Sequence, residues 1–325
     1  MLYDKYNRII DYMRVSITDR CNLKCLYCTS RNNNKVQPLN NDILTKDEII
    51  KIIKISAQLG VKKIRITGGE PLVRKDICEI IEGIRNIPII EDISLTTNGQ
   101  HLDKYVKSLK LAGLNRVNIS LDTLKADKYR MITDGGEIEK VLNAIETAQT
   151  QELTPVKINM VPMRGINDNE IENFAMLTIN TPIHVRFIEL MPVKGNNFWH
   201  PNVFMQTTEL IERTSKLGTL KAVKMRKAGP ARYYRINNSS GVIGFISAMT
   251  HHFCNECSRI RLTSDGKLRP CLFSQTSVDL LPHIRNNDSD EIIKEIILST
   301  VNNKPEGLKE NNDSTIYESM SKIGG

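Results

Sequence analysis

The sequence predicts an α/β protein whose parallel sheet curves into an incomplete barrel or stays open. Three observations predict it. Short β-branched runs alternate with helical stretches through the first two thirds of the 325-residue chain. The strands recur at spacings of roughly 25–45 residues, as βα units do. The residues that look chemical fall where strands end and loops begin, the active edge of parallel sheets.

The elements follow in order. Arg14 to Thr18 reads as the first strand. Thr45 to Gln58 reads as a helix, with Thr45 and Glu48 as a capping box and Gly60 at its stop. Lys63 to Thr67 is the second strand and Lys75 to Arg85 a helix. Ile93 to Thr97 is the third strand, with a helix at Asp103 to Ala112. Arg116 to Leu121 is the fourth strand, with a helix at Glu137 to Gln151. Val156 to Val161 is the fifth strand, with a helix at Asp168 to Leu177. Ile183 to Leu190 is the sixth strand. Beyond Phe198 the pattern changes. Lys216 to Gly229 reads as basic and irregular. Arg232 to Ile236 and Val242 to Ser247 read as an antiparallel pair, and Arg259 to Thr263 as a further strand. Helices are expected at Val278 to Ile284 and Asp288 to Leu298. Asn302 to Ser314 reads as flexible. The expected division is a first domain over 1–215 and a second over 216–325.

Composition narrows the function. Net charge is +8, from 45 basic and 37 acidic residues. A mildly basic balance suits anionic partners. No block of five or six like charges forms a nucleic-acid arm, and aromatics at 5% are too sparse for a single-strand stacking platform. The start, Met1 to Tyr6, lacks a signal-peptide core, and no run of about 18 apolar residues spans a membrane. The expectation is therefore a cytoplasmic protein with neither membrane nor nucleic-acid partner. Its seven cysteines then sit in a reducing compartment, where clustered cysteines bind metal or do redox work.

Cys21, Cys25 and Cys28 follow a strand with spacing C-x3-C-x2-C. Three close thiolates suit a multi-iron cluster with one iron left open. The competing reading is a zinc loop that borrows a remote fourth ligand. Gly68-Gly69-Glu70-Pro71 follows the second strand, and glycines there would let backbone approach a ligand. A second triad, Cys254, Cys257 and Cys271, reads C-x2-C-x13-C, with zinc on His251 or His252 as its alternative. Cys78, in a helix, reads as a small buried hydrophobe. Arg259 and Arg261 point the same way on a strand, a pairing suited to phosphates or a purine edge. Arg14, Arg65 and Lys157 lie inside otherwise apolar strands, where an unpaired charge is costly and calls for a partner.

The first triad, with Tyr27 before its last cysteine and the Gly-Gly-Glu-Pro turn, resembles the radical S-adenosylmethionine (SAM) superfamily. Both triads together, with Asp19-Arg20-Cys21-Asn22, Arg65 to Pro71, the Arg259/Arg261 pair and the terminal Gly324-Gly325, resemble the GTP 3′,8-cyclases of molybdenum cofactor biosynthesis. That resemblance runs from about Arg14 to Gly325. It implies an incomplete (βα)6 radical-SAM barrel with a smaller C-terminal domain closing the barrel mouth. It implies two [4Fe-4S] clusters, one on each triad, the second contacting guanine. It implies that a 5′-deoxyadenosyl radical takes hydrogen from C3′ of GTP, and that C3′ then bonds to C8 to give 3′,8-cyclo-7,8-dihydro-GTP. Tyr27, Gly69, Ser120 and Met191 would contact SAM. Arg14, Arg65, Thr96, Lys157, Arg259 and Arg261 would contact GTP. Arg14, Arg259, Arg261, Gly324 and Gly325 would serve the cyclisation, the tail reaching into the site. A flavodoxin or ferredoxin-like donor, a cyclic pyranopterin monophosphate synthase downstream and a homodimer complete the implied partners. Asn7-Arg8 departs from the family's usual Gly-Arg, and the segment 194–229 carries no assigned site.

Two other readings stand beside this one. Another radical-SAM enzyme with an auxiliary cluster would usually carry more C-terminal cysteines. A zinc-stabilised nucleic-acid-binding protein would be colourless and bind with steep salt dependence.

Overall fold

The structure is a computed structural model describing residues 1–28, 43–225, 229–307, 315–316 and 320–324. Its barrel half runs β1 (Tyr12–Ser16), α1 (Lys46–Leu59), β2 (Lys63–Thr67), α2 (Ile77–Arg85), β3 (Asp92–Thr97), α3 (Leu102–Leu111) and β4 (Arg116–Ser120). Then come α4 (Ala126–Thr133), α5 (Ile138–Thr150), β5 (Lys157–Met160), α6 (Ile171–Asn180) and β6 (His184–Ile188). The rest comprises α7 (Thr207–Ser215), β7 (Leu220–Val223), β8 (Arg232–Ile236), β9 (Val242–Ile246), β10 (Arg259–Leu262) and β11 (Lys267–Arg269). It ends with β12 (Val278–Asp279), α8 (Leu281–Arg285), α9 (Asp290–Asn302) and α10 (Met320–Ile323).

Among the described residues, twelve strands share one sheet, in the order β12-β11-β10-β1-β2-β3-β4-β5-β6-β9-β8-β7. The stretch from β10 through β1–β6 to β9 is parallel throughout. The sheet is not closed into a barrel. The six expected parallel strands are present, and the C-terminal half adds one more at each end.

Alternation explains where the core lies. Met13 and Val15, Ile64 and Ile66, Val117 and Ile119, and Val185 and Phe187 face outward into one apolar core under the helices. The intervening positions, Tyr12, Arg14, Arg65, Thr96, Ser120, Asn159 and Arg186, line the concave side. A strand's side chains alternate with period two, so each strand carries an oily and a chemical face. The capping box forms as expected: Thr45 Oγ1 accepts from Glu48 N–H and Glu48 accepts from Thr45 N–H.

Four expectations change. Helices α4 and α7 form where none was expected. Residues 216–229 are not irregular throughout, since Leu220–Val223 pairs antiparallel with β8. Val278 starts a strand, not a helix: it pairs with Leu268, and the helix waits for Leu281, where Pro282 fits a first turn. Asn302 to Ser314 is not uniformly loose, because Lys304 is only 2% exposed; residues 308–314 lie outside the described ones. Cys78 packs against the core but is only partly buried. Asn7, where glycine was the family expectation, has φ 60°, a left-handed geometry that asparagine tolerates best among side-chain-bearing residues. Among the described residues no helix is long and apolar enough to cross a membrane.

Candidate functional site

Parallel register builds a row of cations. Arg261 of β10 lies level with Arg14 of β1, Arg14 with Arg65 of β2, and Arg65 with Ser94 of β3. Neighbouring strands are about 4.8 Å apart, so like charges stack at close quarters. Burial, then Arg261 and Arg65, holds the Arg14 guanidinium well below its ordinary range. Burial also draws Arg65 down to about 10, as it does Arg261, where Arg259 adds repulsion. Among the described residues Arg65, Lys157, Arg186, Arg259 and Arg261 form no ion pair with a carboxylate. Arg116 takes the nearby Asp92 for itself. Lys157, deeper in the barrel, is pushed down to about 6 by burial, then by Arg186, Arg116 and Arg65. Buried charges of one sign at this spacing cost several kcal/mol per group unless they are compensated.

Among the described residues, Thr96 Oγ1, Asn159 Oδ1 and Arg186 Nε are buried without a hydrogen-bond partner, and all three residues line one cavity of about 250 Å³. Polar groups left so cost free energy unless a ligand or water meets them. The same cavity is lined by Tyr27, Gly69, Ser120, Met191, Arg14, Arg65, Arg259 and Arg261, and by all three cysteines of the first triad. Lys157 is not in its wall; it sits below, with its ammonium 5.9 Å from the Tyr233 ring centroid. Arg186, whose Nη2 donates to Asn118 Oδ1 at 2.6 Å, and Asn159 escaped the sequence reading. Arg186 carried the signal already used for Lys157, a cation inside an apolar strand.

Local structure positions the first thiols. Cys28 N–H donates to Cys25 C=O at 3.1 Å, closing a turn. Lys24 and Leu26 N–H groups donate to Thr133 and Ile132 at the end of α4, so that unforeseen helix anchors the loop. Tyr27 OH donates to Asp122 at 2.7 Å, and burial pushes Asp122 up to about 6. The Gly-Gly turn also has a packing cause within the chain. A Cβ on Gly69 would lie 2.2 Å from Arg20 C=O, and one on Gly68 would lie 2.6 Å from Thr18 C=O. The glycines let this turn press against the chain entering Cys21, where Gly69 and Glu70 N–H groups donate to Thr18 and Arg20. Glu70 is buried, accepts from Leu72, Thr97 and Asn98, and is still raised to about 7 by desolvation.

The second triad lines its own cavity of about 380 Å³, with Arg8, Lys304 and Gly307. A Cβ on Gly307 would sit 3.9 Å from Cys254 Sγ. Arg8 joins the N-terminal hairpin to this wall. Its Nη1 donates to Cys254 C=O at 2.8 Å and its Nε pairs with buried Asp4 at 2.6 Å. The two triads differ in their fields. Burial lifts Cys21 to about 11 and Cys28 to about 12. Burial opposes ionisation of Cys257 too, but Arg259 and then Lys304 outweigh it and bring that thiol down to about 6. Thiols on loops facing a cavity are the donor set iron–sulfur chemistry uses. Among the described residues no three Cys, His, Asp or Glu side chains converge on a point where one metal ion would sit. His251 and His252 are exposed and do not line the second cavity.

The tail enters the first cavity's neighbourhood. Gly324 has φ 71°, its carbonyl accepts from Arg261 Nη1 at 2.7 Å, and a Cβ there would meet Thr67 Cγ2 at 2.3 Å. Lys322 pairs with Asp265 at 2.9 Å. Gly325 lies outside the described residues.

Comparison with known proteins adds an independent line. Residues 15–178 match the radical SAM superfamily, and residues 183–310 match the molybdenum cofactor synthesis C-terminal family. The chain is 48% identical over 323 residues to the GTP 3′,8-cyclase of Thermodesulfovibrio yellowstonii, covering 99% of both. It is 46% identical over 324 residues to that of Alkaliphilus oremlandii, again covering 99% of both. Among solved structures, Streptococcus suis SuiB superposes with TM-score 0.64 at 16% identity, covering 89% of this chain and 67% of that one. That likeness speaks to the fold alone.

Proposed function

The chain belongs to the GTP 3′,8-cyclase family, and on that premise we propose which of its residues hold each reactant. It is a radical-SAM enzyme of molybdenum cofactor biosynthesis that uses SAM and an iron–sulfur cluster. Bound at the first triad, cluster and SAM supply the radical that removes hydrogen from C3′ of GTP, so that C3′ bonds to C8 and gives 3′,8-cyclo-7,8-dihydro-GTP.

In our reading Cys21, Cys25 and Cys28 hold that first [4Fe-4S] cluster, and Tyr27, Gly69, Ser120 and Met191 border SAM. The observation that carries the reading is the level row Arg261–Arg14–Arg65, buried beside the first triad. Its charges suit a triphosphate, which supplies several negative charges to groups that otherwise repel one another. Arg259 and Lys157 extend the field above and below, and Thr96 offers an unmet hydroxyl. Cys254, Cys257 and Cys271 would hold a second [4Fe-4S] cluster whose open iron meets guanine. Arg261 and the Gly324-Gly325 tail would order the substrate for ring closure. A flavodoxin or ferredoxin-like donor, a cyclic pyranopterin monophosphate synthase taking the product, a homodimer and a cytoplasmic site belong to the same proposal. Neither nucleic acid nor membrane is part of it. The division at residue 215 is retained as an organising proposal.

An anaerobic preparation given reductant, SAM and GTP tests it, read by mass spectrometry with iron and sulfide counts. The expected result is 5′-deoxyadenosine, a nucleotide isomer of GTP, and about eight irons per chain for two four-iron clusters. Zinc at either triad, or GTP recovered unchanged, would refute it.

A further inference from the structure

Lys304 is a buried cation that the reaction scheme leaves unused. It follows α9, is 2% exposed, and lines the second cavity with Cys254, Cys257 and Cys271. Its ammonium donates to two backbone carbonyls, Arg259 C=O at 2.8 Å and Pro270 C=O at 2.7 Å. These carbonyls lie within the triad, between its second and third cysteines: Arg259 is two residues after Cys257, and Pro270 immediately precedes Cys271. Among the described residues no carboxylate pairs with it. The other buried cation of this wall, Arg8, does have one, Asp4.

A buried ammonium without a carboxylate needs negative charge nearby. The candidates in its cavity are the three thiols. Resting on the two-cluster reading, we propose that Lys304 is the positioning and charge-compensating residue of the second triad. It ties both ends of the segment that joins Cys257 to Cys271 and favours the reduced state of the cluster held there. The physics is direct. A four-iron cluster on three thiolates is anionic, and reduction adds one more negative charge. A fixed cation in a low-dielectric wall favours the reduced form, by Coulomb attraction that water does not screen away.

The test is redox titration of the full-length holoenzyme, followed by electron paramagnetic resonance on the signal that responds to GTP but not to SAM. Lys304→Gln retains N–H donors for both carbonyls and removes the charge. At a fixed potential its reduced-to-oxidised ratio should fall by ~10-fold, equivalent to ~59 mV for one electron. Lys304→Arg keeps the charge and should hold the ratio within about twofold of the parent. The SAM-responsive signal should stay unchanged in both. An unshifted ratio in the Gln variant overturns the proposal. An Arg variant that shifts as far as the Gln variant also overturns it, because geometry rather than charge would then set the potential. Loss of both cluster signals in both variants marks a purely structural lysine and overturns it too. A parent chain with no GTP-responsive cluster refutes the two-cluster reading itself, a result distinct from the other three.

Discussion

Arg261 donates to the carbonyl of Gly324 at 2.7 Å, so a strand at the sheet's C-terminal extension grips the end of the chain. Gly324 can lie there because it has no Cβ: the nearest atom would be Thr67 Cγ2, 2.3 Å away, and φ is 71°. Gly324→Ala should therefore expel the tail without disturbing the first triad. The ratio of cyclised GTP to 5′-deoxyadenosine should fall by ~10-fold or more, while SAM cleavage persists. An unchanged ratio would remove the tail from the site.

Gly69 gives a second prediction. A methyl group there would lie 2.2 Å from Arg20 C=O, and backbone cannot yield as a flexible side chain can. Gly69→Ala should displace the chain entering Cys21 and cut iron retained by the first triad, with the second triad's iron kept. Iron analysis together with the SAM-responsive resonance signal reads it. Full iron at parent levels would contradict it.

Lys157 sets a pH dependence. Burial holds its folded value near 6, below the ordinary 10.5, so between those limits the unfolded chain binds the extra proton. Stability from this site therefore rises with pH across that window and is lost as pH falls toward 6. A bound triphosphate favours the charged lysine, so GTP binding at pH 8 should take up a proton. Calorimetry in buffers of different ionisation enthalpy should show uptake in the parent chain and less in Lys157→Met. Equal uptake in the two would clear Lys157 of the coupling.

The two triads should fail differently. Cys21→Ala should abolish SAM cleavage. Cys271→Ala should retain part of it and lose cyclised product, since its thiol lines the separate cavity. Parallel loss of both activities in Cys271→Ala would argue against separate roles.

Much of this was legible because strands write their faces in period two. Arg14, Arg65 and Lys157 stood out as charges between apolar neighbours, and the sheet turns them all toward the concave side or just beneath it. Arg186 had the same signature within His184–Ile188 and was passed over. The register that sets Arg261 level with Arg14 was not readable, because β10 is far from β1 in sequence and reaches it by a parallel pairing at the sheet's end. Helix α4 hid for a different reason: it is short, its first position lacks a side-chain cap, and its role appears only when Lys24 and Leu26 bond to its last turn. Lys304 was read as part of a loose polar segment, since only its two long-range carbonyl partners reveal it as buried.

The most direct test uses GTP deuterated at C3′ in an anaerobic turnover with SAM and reductant. The expected result is deuterium in 5′-deoxyadenosine and a deuterium-free nucleotide isomeric with unlabelled GTP. Deoxyadenosine formed without the label, beside GTP that keeps it, would contradict the assignment.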